Sequence, residues 1–425
     1  MPYNVKQPKL KQAWGTELIA GLVGYLTTVY IVIVNGSILS EAGIPLESGM
    51  IATILASFTG TLLMAVYAKL PLILIPGMGI NALFAYSIVT GTGMSFQEGL
   101  AVVLVASIIF LITAFTKLGN VLKNAIPDSL KHAITVGLGF FLILIGLEKS
   151  GLVVKGEHTI VAIGDFTSPI VIVSLITLFL AIFLFVKNIP ANFLITMIGG
   201  TILAYVFGTL QSSGATLDVD LKEAIFVPSF TAINELSFWL AVFPLAMILI
   251  FENMGLIHGQ LGMLQKQENY ARAYQTTAFS SLLCAFFGTS PTVSAAENAA
   301  VIASKGKTWI AALTASILFL ATFLFIPWIS IIPNTAISPI LIIVGVLMAQ
   351  NIRHISLEDL SEAIPAFLVT AMIPFTYSIA DGMAFGFIAY PIVKVALGKR
   401  KELSPVLLVI ASLFVLDFVV KIIDL

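Results

Sequence analysis

The sequence predicts an all-α polytopic membrane protein of fourteen transmembrane segments, arranged as two inverted repeats of seven. Three observations carry this. Hydrophobic residues make up 59% of the 425 residues and charged residues 10%, with a mean hydropathy of +1.05, more apolar surface than a soluble core can hide. The positive charges fall almost wholly on one side of the deduced spans. The third segment of each half is interrupted by helix breakers at corresponding places.

Apolar stretches near the roughly 20 residues that cross a bilayer run over 16–36, 46–68, 72–90, 97–118, 129–150, 168–187, 191–209, 238–262, 270–286, 288–304, 307–328, 334–350, 363–378 and 379–397. A further apolar stretch, 404–423, either lies along the interface or crosses as a fifteenth span. With the N-terminus cytoplasmic, 17 basic residues face inside: Lys6, Lys9, Lys11, Lys69, Lys117, Lys123, Lys131, Lys187, Lys266, Arg272, Lys305, Lys307, Arg353, Lys394, Lys399, Arg400 and Lys401. Only Lys149, Lys155 and Lys222 face outside. This is the asymmetry of the positive-inside rule. It requires two short spans around Pro374 and Asp381, so that the run Lys399-Arg400-Lys401 ends inside.

The longest loop, 210–237, carries Asp218, Asp220, Glu223 and Glu235, and no stretch is suited to a soluble domain. A net charge of −1 offers no basic surface for nucleic acid. The single cysteine, Cys284, excludes an intramolecular disulfide and a cysteine metal site. No cleavable signal peptide is visible, because the first apolar stretch is long enough to span. Short loops and tails suit a prokaryotic inner membrane. No cofactor is expected. An intramembrane enzyme would need a nucleophile with its base, or a metal cluster, which Cys284 and the scattered histidines do not offer.

Seven is odd, so two similar halves run in opposite directions, as in many carriers. The third segment reads LPLILIPGMGINALFAY (70–86) and the tenth CAFFGTSPTVSAAENAA (284–300). Each opens with an extended run, Leu72 to Ile75 or Phe286 to Val293. Each then meets breakers, Pro76, Gly77 and Gly79 or Gly288 and Pro291, and continues as a half-helix. A half-helix starting at mid-membrane leaves backbone N–H groups and a dipole end free for a solute. One such segment reads equally well as a packing kink; two at matching positions point to a transporter site.

Asn81 and Glu297 lie early in the two half-helices and are expected to face one cavity. An acid deep in a bilayer costs roughly 3 kcal/mol or more, so it needs a task. Glu252, in the eighth segment, has no basic neighbour in its span before Lys266. Both glutamates are candidate solute ligands and candidate proton carriers, since desolvation favours the protonated form. Gly79, Ala296, Thr289, Ser290, Thr292 and Ser294 either contact solute or satisfy unwound backbone. Phe251 is placed to stack on a planar solute, although among 30 phenylalanines packing is the simpler reading for it, as for Phe84 and Phe287. His258 follows Glu252 closely. His132 and His258 have no partner at metal-ligand spacing. Asp381 reads as a helix N-cap, and Glu17 and Glu148 as span-end residues reaching the interface.

The stretches IPGMGINALFAYSIV (75–89), GTSPTVSAAENAAVIASKGKT (288–308) and IPAFLVTAMIPFTYSIADGMAFGFIAY (364–390) resemble the AzgA-type purine permeases, within the wider nucleobase–cation symporter group. The opening AGLVGYLTTVYIVIVNGSILSEAGI (20–44) also matches, and the similarity runs from about Gly15 to Lys401. The resemblance implies uptake of hypoxanthine, guanine or adenine by proton symport and an elevator-like mechanism. It implies a core domain from 1–124 and 216–330, a gate domain from 125–215 and 331–400, and a separate apolar segment 401–425. Segments 3 and 10 would each be a short strand leading into a helix, with the substrate between them and segment 8. Homodimers are common in such relatives. Glu297 matches the acid of segment 10 that contacts the base, and Asn81 the polar residue of segment 3. Where AzgA-like proteins have aspartate in an FDT-x-GT pattern, this chain reads Phe251-Glu252-Asn253-Met254-Gly255-Leu256. Pro291 and Asn298 stand where threonine and serine are usual.

Carboxylates suit a purine, which is neutral, planar and edged with N–H donors. Each charged hydrogen bond contributes about 1.5–3 kcal/mol, so two carboxylates with backbone donors reach micromolar affinity, about −8 kcal/mol. Another nucleobase fits the same scheme. A small anion on this fold does not suit a site with two carboxylates.

Overall fold

A computed structural model describes residues 10–119, 125–156, 158–210 and 226–423. Lys6, Lys9, Lys123 and the centre of the long outer loop, with Asp218, Asp220, Lys222 and Glu223, lie outside the described residues. The chain is a helical membrane bundle. The first span comprises α1 (Leu10–Thr28) and α2 (Ile31–Glu41). At their joint the Thr27 and Thr28 hydroxyls bond back to the carbonyls of Val23 and Gly24, at 3.0 and 2.7 Å, competing with the helical ladder and leaving an irregular turn at Val29 and Tyr30. Next come α3 (Leu46–Leu63), β1 (Leu74–Pro76), α4 (Met78–Ala82) and α5 (Phe96–Phe115). They are followed by α6 (Asp128–Lys149), the small hairpin of β2 (Val153–Val154) and β3 (Ala162–Ile163), α7 (Pro169–Val186) and α8 (Asn192–Val206). The second half holds α9 (Leu236–Leu264), α10 (Tyr270–Phe287), β4 (Thr292–Ser294), α11 (Asn298–Ala303), α12 (Trp309–Ala321) and the short α13 (Ile326–Ile329). It ends with α14 (Asn334–Ala349), α15 (Leu360–Thr376), α16 (Ile379–Ala396) and α17 (Pro405–Ile423).

Among the described residues nine helices are long and apolar enough to cross a bilayer. The other expected crossings fall short for visible reasons. Segments 3 and 10 are broken by strands. α8 and α15 have 15 and 17 residues. α10 carries Arg272, Gln275, Thr276, Thr277, Ser280 and Ser281. The final stretch is a helix, α17, packed beside α16 with Phe414 against Phe387 at 5.8 Å.

The helices pack in two groups. One joins α1–α5 to α9–α12; the other joins α6–α8 to α14–α16. Between the groups, α4 meets α6, α1 meets α8 and α9 meets α16. Within the second group α6 and α14 cross at Gly139 and Gly345, where a Cβ on either would come within 2.5 Å of the other's carbonyl oxygen. Such small-residue crossings let helix backbones approach where lipid offers no hydrophobic drive.

The two broken segments meet as an antiparallel pair, Leu74 opposite Ser294, Ile75 opposite Val293 and Pro76 opposite Thr292. Bonds from Gly77 N to Pro291 O (3.2 Å) and Ala295 N to Ile73 O (3.0 Å) continue the pairing. Side chains satisfy the rest of the backbone, which lipid cannot. The Asn298 amide accepts from Ile73 N at 2.8 Å and donates to Ile73 O at 3.1 Å. Thr61 accepts from Leu74 N at 3.1 Å. From α9, Asn253 accepts from Ser294 N at 3.2 Å and Gln260 donates to Ala295 O at 2.8 Å.

One local expectation needs correction. Ser378, not Asp381, caps α16: its hydroxyl accepts from Asp381 N at 3.1 Å, and Asp381 sits within the first turn. Glu17 sits against the loop before α12. It is buried and accepts from Lys307 N and Thr308 N at 3.0 and 3.1 Å, because the tight turn before α12 leaves those N–H groups unpaired.

Candidate solute-binding site

A cavity of about 1000 Å³ opens beside the strand crossing, between the two packing groups. Tyr30, the β1–α4 elbow, the middle of α9 and the β4–α11 elbow line one wall; α6 and α14 line the other. Glu252 and Glu297 both face it. Each follows from its local fold. Glu252 projects from the long helix that also grips β4 through Asn253 and Gln260. Glu297 occupies the N-cap position of α11 (φ −65, ψ −9), yet its carboxylate makes no cap bond to its own helix. It accepts instead from the Tyr30 hydroxyl, 2.6 Å from Oε1. Among the described residues no hydrogen bond or ion pair engages the Glu252 carboxylate, so it is available to a ligand.

Of the other expected residues, Gly79, Ala296, Ser294, Phe251 and His258 line the cavity. Asn81, Thr289, Ser290 and Thr292 do not: all four are fully buried and bond to protein. Asn81 accepts from the Ser290 hydroxyl. Thr289 accepts from Asn35 at 2.9 Å, and Thr292 bonds to Ser280 at 2.7 Å. The expectation that Asn81 and Glu297 share a cavity therefore fails in its first half, because a buried amide in a broken segment is drawn to the neighbouring unwound segment. The Ser294 hydroxyl donates to Gln260 Oε1 at 2.6 Å. Gly79 is where the groups meet: a Cβ there would lie 3.0 Å from Leu138 of α6 and from Met348 of α14. The face of Phe251 is covered by Lys131, with Nζ 5.2 Å from the ring centroid, a cation–π arrangement.

Sequence reasoning missed several lining residues. Tyr30 looks like ordinary packing in an apolar helix, and its acidic partner is 267 residues away. Gln260 carries no motif signal. His132 is not isolated: its ring lies 5.0 Å from that of His354 at the cavity rim. Among the described residues no cluster of three or more metal-ligating side chains occurs. The site can thus accept N–H donors on two carboxylates within an otherwise largely apolar lining. On the far side of the bundle Lys149 of α6 pairs with Glu41 of α2, and the Tyr377 hydroxyl donates to Glu148.

Comparison with known proteins agrees with this architecture. The chain is 43% identical to nucleobase transporter PlAzg2 of Paenibacillus larvae over 89% of this chain and 77% of that protein. It is 37% identical to guanine/hypoxanthine permease PbuO of Bacillus subtilis, over 96% and 97%, and 33% identical to adenine permease AdeQ of Escherichia coli, over 95% and 93%. Among solved structures, the transmembrane domain of the cyanobacterial bicarbonate transporter BicA aligns with a TM-score of 0.67 at 16% identity, covering 86% of this chain and 96% of that one. Murine Slc26a9, an anion transporter in the inward-facing state, aligns with a TM-score of 0.68 at 14% identity over 93% and 70%. These likenesses show the shared fold, an inverted-repeat transporter fold of core and gate. Residues 15–385 match the permease family model Xan_ur_permease, and with relatives of this identity along most of its length the chain belongs to that family: it is a multi-pass membrane permease and not an enzyme.

Proposed function

We propose that this permease takes up purine nucleobases, with hypoxanthine, guanine and adenine as the substrate class. The observation that carries the reading is the pair of carboxylates, Glu252 and Glu297, on one cavity beside the strand crossing. A purine presents adjacent N–H groups to such acceptors, and its flat apolar faces suit the remaining lining. An anion would meet two carboxylates there and be repelled. Relatives named for guanine, hypoxanthine and adenine support the same class.

Protons are the proposed coupling ion, carried by Glu252 or Glu297, the acids that the solute itself contacts. The two packing groups act as core (1–124 and 216–330) and gate (125–215 and 331–400), and the core slides against the gate in an elevator-like step. The cavity lining reaches Asp128, Lys131, Met263 and Tyr270, on the side that the positive charges assign to the cytoplasm, so this conformation is open inward. The N-terminus is cytoplasmic, the membrane a prokaryotic inner membrane, and a homodimer the proposed assembly.

The test is uptake of labelled hypoxanthine into proteoliposomes, challenged with adenine, guanine, xanthine, uracil and sulfate. Competition by purines alone is expected. Competition by sulfate, or none by any purine, overturns the reading. Collapse of the proton gradient should stop accumulation, while sodium removal should not.

A further inference from the structure

Tyr30 touches both packing groups. It sits in the irregular turn between α1 and α2 and is 1% exposed. Its hydroxyl donates to Glu297 Oε1 at 2.6 Å. Its ring meets Phe193 of α8 edge-on, with centroids 4.8 Å apart and planes at 63°. Phe193 in turn lies parallel to Phe185 of α7, at 6.3 Å and 15°. One side chain thus joins the carboxylate of the strand crossing to a helix of the opposite group.

A carboxylate offers about four lone-pair positions. The Tyr30 O–H takes one of them on Oε1 and so fixes the plane of the group. A solute that claims both oxygens must share Oε1 with that O–H or displace it. A displaced hydroxyl, fully buried, needs another acceptor. The ring cannot swing to find one without repacking against Phe193, since close-packed interiors transmit such shifts.

We propose that Tyr30 is a positioning residue, orienting Glu297 for the solute and passing its occupancy to α8 through Phe193. The inference rests on Glu297 being a solute acceptor, as proposed above.

The experiment uses the full chain in proteoliposomes with tritiated hypoxanthine as probe, reading equilibrium binding and maximal transport rate separately. Glu297→Gln is measured first. If it binds like the wild type, the reading of the site fails and takes this inference with it. If it loses binding, the remaining arms test Tyr30 alone. Tyr30→Phe keeps the ring and removes the O–H; binding should weaken about tenfold, the size of one charge-assisted bond. Phe193→Leu keeps the Tyr30–Glu297 bond; binding should stay within about twofold while the maximal rate falls roughly fivefold or more. In the Tyr30→Phe background, Phe193→Leu should cost no further rate, a non-additivity that independent structural defects do not give. Wild-type binding and rate in Tyr30→Phe, or full additivity, overturns the proposal. Should Tyr30→Phe fail to fold, Phe193→Leu decides alone: a lowered rate with unchanged binding supports the link, and a wild-type rate overturns it.

Discussion

Individual polar residues in this chain divide into those that line the cavity and those that bond within the protein interior. Glu297 and Glu252 were legible because an acid in an apolar span has few structural uses. Asn81 and Ser290 looked similar in sequence but bond to one another, fully buried. This division is testable. Glu297→Gln should weaken hypoxanthine binding on the order of 100-fold, from loss of one charged bond and a donor left facing a donor; binding to solubilised protein measures it, and a change under threefold refutes the assignment. Ser290→Ala should instead leave that dissociation constant within twofold and lower thermal stability, since it strips the Asn81 carbonyl of its partner at about 1–3 kcal/mol. Tyr30 could not be found by either rule, because its significance lies in a contact across the fold rather than in its own type.

Among elements, the strand and half-helix character of segments 3 and 10 was readable from Pro76, Gly77, Gly288 and Pro291. Their clasp was not, because it depends on which backbone groups the amides meet across the fold: Asn253 and Gln260 reach β4 and its elbow from segment 8, and Asn298 of segment 10 reaches Ile73 of segment 3. The cap of α16 was misread for a related reason: serine and aspartate three residues apart both suit a helix start, and backbone geometry decides between them. Gly288 shows how strictly one elbow is built. Its φ is +78, and the Phe226 ring lies where a Cβ would need to go. Gly288→Ala should cost about 1–3 kcal/mol for the left-handed backbone alone, plus displacement of Phe226, and lower the unfolding temperature in detergent. Outside the membrane, Asp359 caps α15 through Ser361 N at 2.9 Å and pairs with Lys399 at 2.6 Å. The Lys399 bond, helped by Ser361, holds its carboxyl below the usual range. Its contribution is therefore complete above about pH 4, the unfolded value, and is lost as pH falls toward the lower folded one. Asp359→Asn should remove that part of the acid destabilisation in melts between pH 6 and pH 3.

At the scale of the whole molecule, the charge asymmetry and the odd number of segments per half foretold two opposed repeats, but nothing in the sequence announced how the groups touch. They meet through few contacts, among them the Lys149–Glu41 pair opposite the cavity mouth. If the groups slide during transport, that pair must part. Cys284 is buried, so a disulfide between Glu41→Cys and Lys149→Cys is readily monitored. Oxidation should reduce transport to background and leave hypoxanthine binding in the open cavity, and reduction should restore transport. Undiminished transport by the fully oxidised protein rules out movement at this contact.

The crossing of β1 and β4 also constrains how the protein is made. The stretch from Ile73 to Pro76 finds its partners in Thr292–Ser294, Ala295 and Asn298, which leave the ribosome only after most of the chain has emerged. Until then those peptide groups have no strand to pair with, and lipid cannot solvate them. Segment 3 must wait in a wetter or shielded setting, and the permease completes the cavity wall beside the crossing late in biogenesis, when segment 10 arrives.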